Sequence, residues 1–226
     1  MRRLILLFIV MGFAAQGQGT DPVYYTDSDI TVRPWAFEAS GAPLTMFRRV
    51  GRDLQGNLPE VNDTWRPRAG LDAGVNAIYQ GGNIRLSVGL SQTWLNWATS
   101  TTVNDEEILV STHAQYLSLP IRAGLVTHLT DMVDLEVWPN FTYRWNQSLV
   151  KTGTNIEPVV SPTASSAGLD IGASWRVGTH WRYFVRGGIG FGLQDLEVTE
   201  DVGNPYRNHT ELPLFVGVQT GIRALF

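Results

Sequence analysis

The stretch "LPLFVGVQTGIRALF", residues 212–226, alternates between two kinds of side chain. Its even positions, from Leu212 to Phe226, are mostly apolar, whereas Gly217, Gln219 and Arg223 are among the odd ones. Successive side chains of a β-strand point to opposite faces, so this pattern predicts a strand with one apolar face and one small or polar face.

The same alternation recurs seven more times along the chain. The other predicted strands lie near residues 31–41, 69–79, 84–94, 117–125, 135–145, 167–177 and 181–194. Most of them are longer than a typical strand of a globular protein. Their length suits tilted strands that cross a bilayer, which need roughly 9–11 residues.

The connections between these strands alternate in length. Short turns are predicted at "QGGN", "HLTDMVD" and "GTH", and long loops at about 45–65, 98–107, 148–165 and 195–209. This arrangement is typical of outer-membrane barrels. We therefore predict an all-β, eight-stranded, antiparallel, up-and-down transmembrane β-barrel in the bacterial outer membrane, with periplasmic termini and long extracellular loops.

Closure of the barrel pairs the last strand with the first, which satisfies backbone groups that hydrocarbon cannot. A soluble lipocalin-like barrel or a β-sandwich would also alternate. The predicted inward face is too polar for an ordinary dry core, which favours the membrane barrel over both soluble alternatives.

The first residues, "MRRLILLFIVMGFAAQGQG", have the pattern of a secretory signal peptide. Arg2 and Arg3 precede an apolar run that is short for a membrane span, and small residues follow it. We predict a cleaved signal peptide at 1–17, an N-terminal periplasmic segment at 18–30 and the barrel at 31–226. An uncleaved N-terminal anchor is the alternative.

The composition excludes some functions. Cysteine is absent, so the chain can form no disulfide and cannot be a lipid-anchored lipoprotein, and the net charge of -4 argues against a nucleic-acid partner. The four histidines are scattered and indicate no metal site, and no cofactor is predicted.

Charged side chains occupy the predicted inward face. They are Glu38, Asp72, Arg85, Arg122, Glu136, Arg144, Asp170, Arg176, Arg182, Arg186, Glu211 and Arg223. An eight-stranded barrel is only wide enough inside for side chains, and buried charges must be paired. We predict an ion-pair network that fills the lumen. A narrow anion-selective path or a small-ligand pocket remains the alternative.

Two aromatic girdles follow from the strand directions. Tyr79, Trp175, Trp181, Tyr183 and Phe226 belong to the periplasmic side, and Trp94, Tyr143, Trp145 and Phe191 to the long-loop side.

Catalytic chemistry has one weak candidate, Ser111 and His113 with Glu107 nearby. Barrel lipid A deacylases carry the order His-x-Ser, which is reversed here, and no spacing fixes a third residue. We predict no catalytic residue. The first loop clusters Arg48, Arg49 and Arg52, which suits anionic lipopolysaccharide headgroups.

The stretch "QYLSLPIRAGL", residues 115–125, resembles the Bacteroidetes outer-membrane β-barrel proteins often called PorT-like, and "AAQGQG" in the signal peptide resembles the same lineage. The final Phe226 is similar to the C-terminal aromatic signal read by the barrel-assembly machinery. The resemblance implies a non-enzymatic structural or interaction barrel, including an accessory subunit of an outer-membrane secretion or assembly complex. A small passive channel and, less favoured, a lipid-modifying enzyme stay open.

Overall fold

A computed structural model of the protein describes residues 34–50, 63–103, 106–153, 161–194 and 211–226. The predicted signal peptide and the segment 18–30 lie outside the described residues. The strands are β1 (Trp35–Val50), β2 (Asp63–Pro67), β3 (Ala69–Gly81), β4 (Ile84–Val103), β5 (Glu106–His128), β6 (Val133–Thr152), β7 (Thr163–Val177), β8 (Trp181–Gly192) and β9 (Glu211–Leu225). The described ranges contain no helix that is long and apolar enough to cross a membrane.

The strands form one antiparallel sheet that closes on itself. Its order around the ring is β1, β3, β4, β5, β6, β7, β8 and β9, and β9 pairs with β1. The predicted eight-stranded antiparallel barrel is therefore confirmed. Following paired residues around the ring from Phe37 leads back to β1 at Phe47, ten residues further along. Such a stagger requires strongly tilted strands.

The ninth strand arises from a break in one wall of the barrel. β2 and β3 both pair with β4, and the register moves by one residue between the pairs Pro67–Trp97 and Leu71–Trp94. The Asn96 side chain donates a hydrogen bond to the Ala69 carbonyl oxygen at 2.8 Å, which stabilises the break. β2 and β3 therefore occupy one position in the ring, and the nine strands fill eight positions in all.

The predicted bounds of three long loops were wrong, because polar residues that belong to strands were assigned to the loops. β4 and β5 stay paired as far as Val103 and Glu106, so most of the predicted loop 98–107 is strand. β1, β2, β6 and β7 similarly take residues from the ends of the predicted loops 45–65 and 148–165. The segment "ATSTTV", residues 98–103, is polar yet rich in β-branched residues, which favour strands. The fourth predicted loop, 195–209, lies outside the described residues.

The tight turns lie together at one end of the barrel, here called the short-turn end. Gly82, between β3 and β4, has φ 56°, and Gly178, between β7 and β8, has φ 77°. Glycine tolerates this left-handed conformation without steric cost. The opposite end, where the longer connections lie, is called the long-loop end.

Candidate functional site in the barrel lumen

The lumen holds three layers of side chains between the two ends. Charged residues packed around buried apolar ones, which include Ile78, Trp138 and Phe184, fill the short-turn end. A cavity lies in the middle, and an apolar layer fills the long-loop end. These layers are called the charged cluster, the central cavity and the apolar plug.

Glu136, on β6, is one centre of the charged cluster. It accepts hydrogen bonds from Arg223 Nη1 at 2.8 Å and Nη2 at 3.0 Å, from Trp138 Nε1 at 2.9 Å and from Ser174 Oγ at 2.8 Å. Arg85 also donates to it. The Glu136 side chain is completely buried, so these donors replace the water that a carboxylate otherwise needs.

Glu38, on β1, is the second centre of the charged cluster. Arg223 donates to it through Nη2 at 3.0 Å and Nε at 3.3 Å, while Arg186 and Asn76 also donate to its carboxylate. Arg223 therefore bridges Glu38 and Glu136. Its planar fork of donors suits two carboxylates held at once, and it has no solvent exposure.

Asp134 is the third acid of the charged cluster, and the sequence analysis missed it. It accepts from Arg85 Nη2 at 2.9 Å and from Arg182, and its other oxygen lies 2.6 Å from His128 Nδ1. Asp134 lies two residues before Glu136, so strand alternation places both side chains on the inward face. The alternation could therefore have identified Asp134. The residue was assigned to a turn, whereas β6 begins one residue before it.

The central cavity has a volume of about 110 Å³. Arg122 lies between two acids there, with Nη1 3.7 Å from Glu38 Oε1 and Nε 3.5 Å from Asp170 Oδ2. Nearer the long-loop end, Arg144 donates to Ser166 Oγ at 2.7 Å.

Asp72 also lines the central cavity and accepts a hydrogen bond from Ser91 Oγ at 3.1 Å. The structure thus brings most of the predicted inward charges into two adjoining layers.

The apolar plug contradicts the expectation that the inward face is small or polar throughout. Its buried members are Met46, Leu95, Trp97, Ala114, Tyr116, Ala164 and Phe215. Trp65 stacks on Trp97 with 5.8 Å between ring centroids, and its Nε1 donates to the Met46 carbonyl oxygen at 3.2 Å. The long-loop end of the lumen is thereby filled by packed rings and aliphatic chains.

Two predicted network members stand apart from these contacts. Arg176 lies at the short-turn end opposite Arg182 in the register, and its Nε has no hydrogen-bond partner among the described residues. The Glu211 backbone pairs with Val50, but its side chain lies outside the description.

The nine predicted girdle residues all lie on the outer face, in two rings. At the short-turn end, Trp175 and Tyr183 stack with 6.0 Å between centroids, and at the other end Tyr143 and Trp145 meet edge to face at 4.8 Å. Two further aromatic residues belong to the girdle at the short-turn end but were not predicted for it. The ring centroids of Trp35 and Tyr79 are 5.2 Å apart, and those of Phe37 and Phe226 are 5.8 Å apart.

The weak catalytic candidate has other contacts. His113 Nδ1 lies 2.8 Å from Asn96 Oδ1, and Glu107 accepts from Arg66. Among the described residues, no hydrogen bond joins the Ser111 hydroxyl to His113. In the same ranges, no group of three or more His, Asp or Glu side chains could hold a metal ion.

No protein-family model and no curated protein matches this chain. Solved structures do match it. The crystal structure of Neisserial surface protein A (NspA) is similar with a TM-score of 0.54 and 11% identity, over 85% of this chain and 97% of that one. The outer membrane protein OprG from Pseudomonas aeruginosa is similar with a TM-score of 0.54 and 10% identity, over 86% of this chain and 97% of that one. At these identities the comparison shows the shared barrel fold.

Proposed function

We propose that this chain is a non-enzymatic outer-membrane β-barrel that acts as a structural and interaction protein, serving as an accessory subunit of an outer-membrane secretion or assembly complex. The long-loop end faces the cell exterior and the termini face the periplasm. The lumen, filled at both ends, supports a role for the outer surface and loops rather than for transport.

The outer wall supports the membrane location. Side chains between the two aromatic girdles are apolar and open to the surroundings, including Val75 at 61%, Leu125 at 60% and Ile171 at 55% exposure. A continuous apolar wall of this kind is a hazard in water, whereas it is the required surface in a bilayer.

The observation that carries the interaction role is the extension of β4 and β5 beyond the outer girdle. Trp94 of that girdle pairs with Gln115, and nine further register pairs follow, up to Val103–Glu106. These pairs span roughly 30 Å along the strands at about 3.3 Å per residue. A bilayer does not need this length. The segments Leu95–Val103 and Glu106–Ala114, with β2 beside them, are called the protruding sheet.

The protruding sheet offers a preorganised surface for a protein partner. Its outer face mixes the ion pair between Arg66 and Glu107 with exposed apolar side chains such as Leu109, at 40% exposure. Because the paired backbone already holds these side chains in place, a partner would pay little ordering entropy on binding.

We also propose that the protein is a PorT-like protein of the Bacteroidetes, which the "QYLSLPIRAGL" stretch supports. Phe226 is proposed as the signal for the barrel-assembly machinery. Lipopolysaccharide is the proposed lipid contact at the outer end. The support for this contact is the arginine content of the segment that holds Arg48, Arg49 and Arg52.

The test removes the outer part of the protruding sheet and keeps the apolar-plug residues of β4 and β5. Residues 99–110 are replaced by Asn-Gly, which joins the register partners Ala98 and Ser111 through a tight hairpin turn. Tagged full-length and shortened proteins are purified from the native outer membrane in mild detergent, after heat-modified gel mobility has shown that both are folded. We expect a stoichiometric partner to copurify with the full-length protein and not with the shortened protein. A partner that remains with the shortened protein, or none with either, would overturn the proposal.

A small passive channel is the second candidate, favoured by the surplus of arginine along the lumen. Seven arginines and five acids line it among the described residues, when Asp134 is added to the predicted set and Glu211, whose side chain lies outside the description, is left out. The charged cluster and the apolar plug oppose this candidate, because each closes one end. Conductance in a planar bilayer separates the two functions.

A further inference from the structure

The central cavity lies between the charged cluster and the apolar plug, and its lining mixes charged with apolar side chains. Arg122 and Arg186 border it towards the charged cluster, whereas Leu44 and Phe215 border it towards the apolar plug. A space of about 110 Å³ is large enough for several water molecules or for one small ion with some of its hydration.

Guanidinium groups around the cavity have hydrogen-bond donors without acceptors. No described residue accepts from Nε of Arg144, although this residue is only 9% exposed. Nε and Nη1 of Arg122 also lack hydrogen-bond acceptors there, since their nearest acids lie 3.5 Å and 3.7 Å away. Buried donors without partners are costly, so these groups require acceptors within the cavity.

The charge of the lumen points in the same direction. Arg122, Arg144 and Arg186 line the cavity, against Asp72 and Asp170, but Arg186 is paired with Glu38 of the charged cluster. Over the described lumen as a whole, seven arginines face five acids, so the lumen carries surplus positive charge. Water would supply acceptors but would leave that charge uncompensated, whereas an anion supplies both.

We propose that the central cavity binds one small oxyanion, of the size of a carboxylate or phosphate group, between Arg122 and Arg144. Arginine suits this ligand because its fixed fork of N–H donors matches the geometry of such oxygens. Ser166 already holds the Arg144 Nη1 group at 2.7 Å, which orients the guanidinium and leaves Nε free for the ligand. This site is independent of the proposed partner role of the protruding sheet.

Asp72 sets the affinity of the site. It faces the same cavity, and one of its oxygens, Oδ1, has no hydrogen-bond partner among the described residues. Its negative charge opposes a bound anion, so removal of that charge should tighten binding.

The test measures unfolding of the complete folded barrel in zwitterionic micelles at constant ionic strength. The urea midpoint is followed as sodium phosphate, or in a second series sodium acetate, replaces sodium chloride. A ligand that binds only the folded state raises the midpoint. Phosphate also stabilises proteins nonspecifically, so the comparison between variants carries the result. The variants are Arg144→Met, Asp72→Asn and, as an exposed control, Arg66→Met.

We expect the wild type and Arg66→Met to respond alike to at least one of the two anions. Arg144→Met should bind that anion about tenfold or more weakly, because one charged hydrogen-bond donor is lost. Asp72→Asn should bind it several-fold more tightly, which keeps the proposal testable should Arg144→Met fail to fold. Equal responses from the wild type, Arg144→Met and Asp72→Asn, or no response to either anion, would overturn the proposal and leave a water-filled cavity.

Discussion

The charged cluster and the apolar plug fill the same lumen by opposite means. In the charged cluster, Arg223 connects Glu38 on β1 to Glu136 on β6, and so joins distant walls by directional bonds. In the apolar plug, Trp97 and Trp65 fill the space by stacking, with few polar contacts.

The two layers show where each kind of filling is stable. Within the bilayer, the wall faces hydrocarbon, and inward charges must be satisfied by other side chains of the lumen, as Arg223 and Ser174 satisfy Glu136. Beyond the outer girdle the wall stands in water, and an apolar interior there resembles the core of a soluble sheet. The two layers should therefore differ in how removing one side chain affects stability.

The largest effect is expected for Arg223→Met. The change removes the four hydrogen bonds that Arg223 donates to the buried acids Glu38 and Glu136, which keep Arg186 and Arg85 as their remaining charged partners. Breaking a buried ion pair costs about 3–5 kcal/mol. The free energy of unfolding, from urea titration in zwitterionic micelles, measures it. A loss below about 1 kcal/mol would show that the bridge contributes little.

Trp97→Ala should follow, with a loss of about 3 kcal/mol, because it removes a buried ring and opens a cavity. The same titration measures the loss. Replacement by Phe is the control, since it keeps most of the apolar volume, and it should recover much of the stability. If both variants unfold like the wild type, the apolar plug is not a packed layer.

Gly124→Ala should cost about 1–3 kcal/mol through overpacking. A Cβ at this position would lie 2.6 Å from the nearest atom of the Trp138 ring. The ring must then move, which disturbs the hydrogen bond that it donates to Glu136. Urea titration with tryptophan fluorescence measures both effects. Gly187→Ala meets no atom within 4 Å and is the matched control. Equal behaviour of the two alanine variants would contradict the close approach.

Arg66→Gln should have the smallest effect, below about 1 kcal/mol. Its ion pair with Glu107 is exposed, with 51% and 55% of the two side chains open to solvent. The measurement is the same titration at low and high salt. A loss as large as that of Arg223→Met would remove the distinction between exposed and buried pairs.

The charged cluster was largely predictable from the sequence, because Arg and Glu on one parity of a strand stand out against apolar neighbours. The pairing was not predictable. That Arg223 reaches both Glu38 and Glu136 depends on the ten-residue stagger of the ring, which alternation does not reveal.

The apolar plug was missed for two physical reasons. Trp97 and Leu95 share the inward parity of Thr93, but Trp97 stands just before a polar stretch that resembled a loop. The register shift between Gln115 and Tyr116 also breaks strict alternation on β6, so Leu149 packs inside, where counting from Arg144 would place it outside.

Single-channel recording in a planar bilayer tests whether the lumen is closed. With refolded wild-type protein, we expect a baseline indistinguishable from the protein-free bilayer over a wide voltage range, because the charged cluster and the apolar plug block the lumen in series. Discrete, recurring conductance steps that scale with protein concentration would contradict closure and make the arginine-lined channel the better description of this barrel.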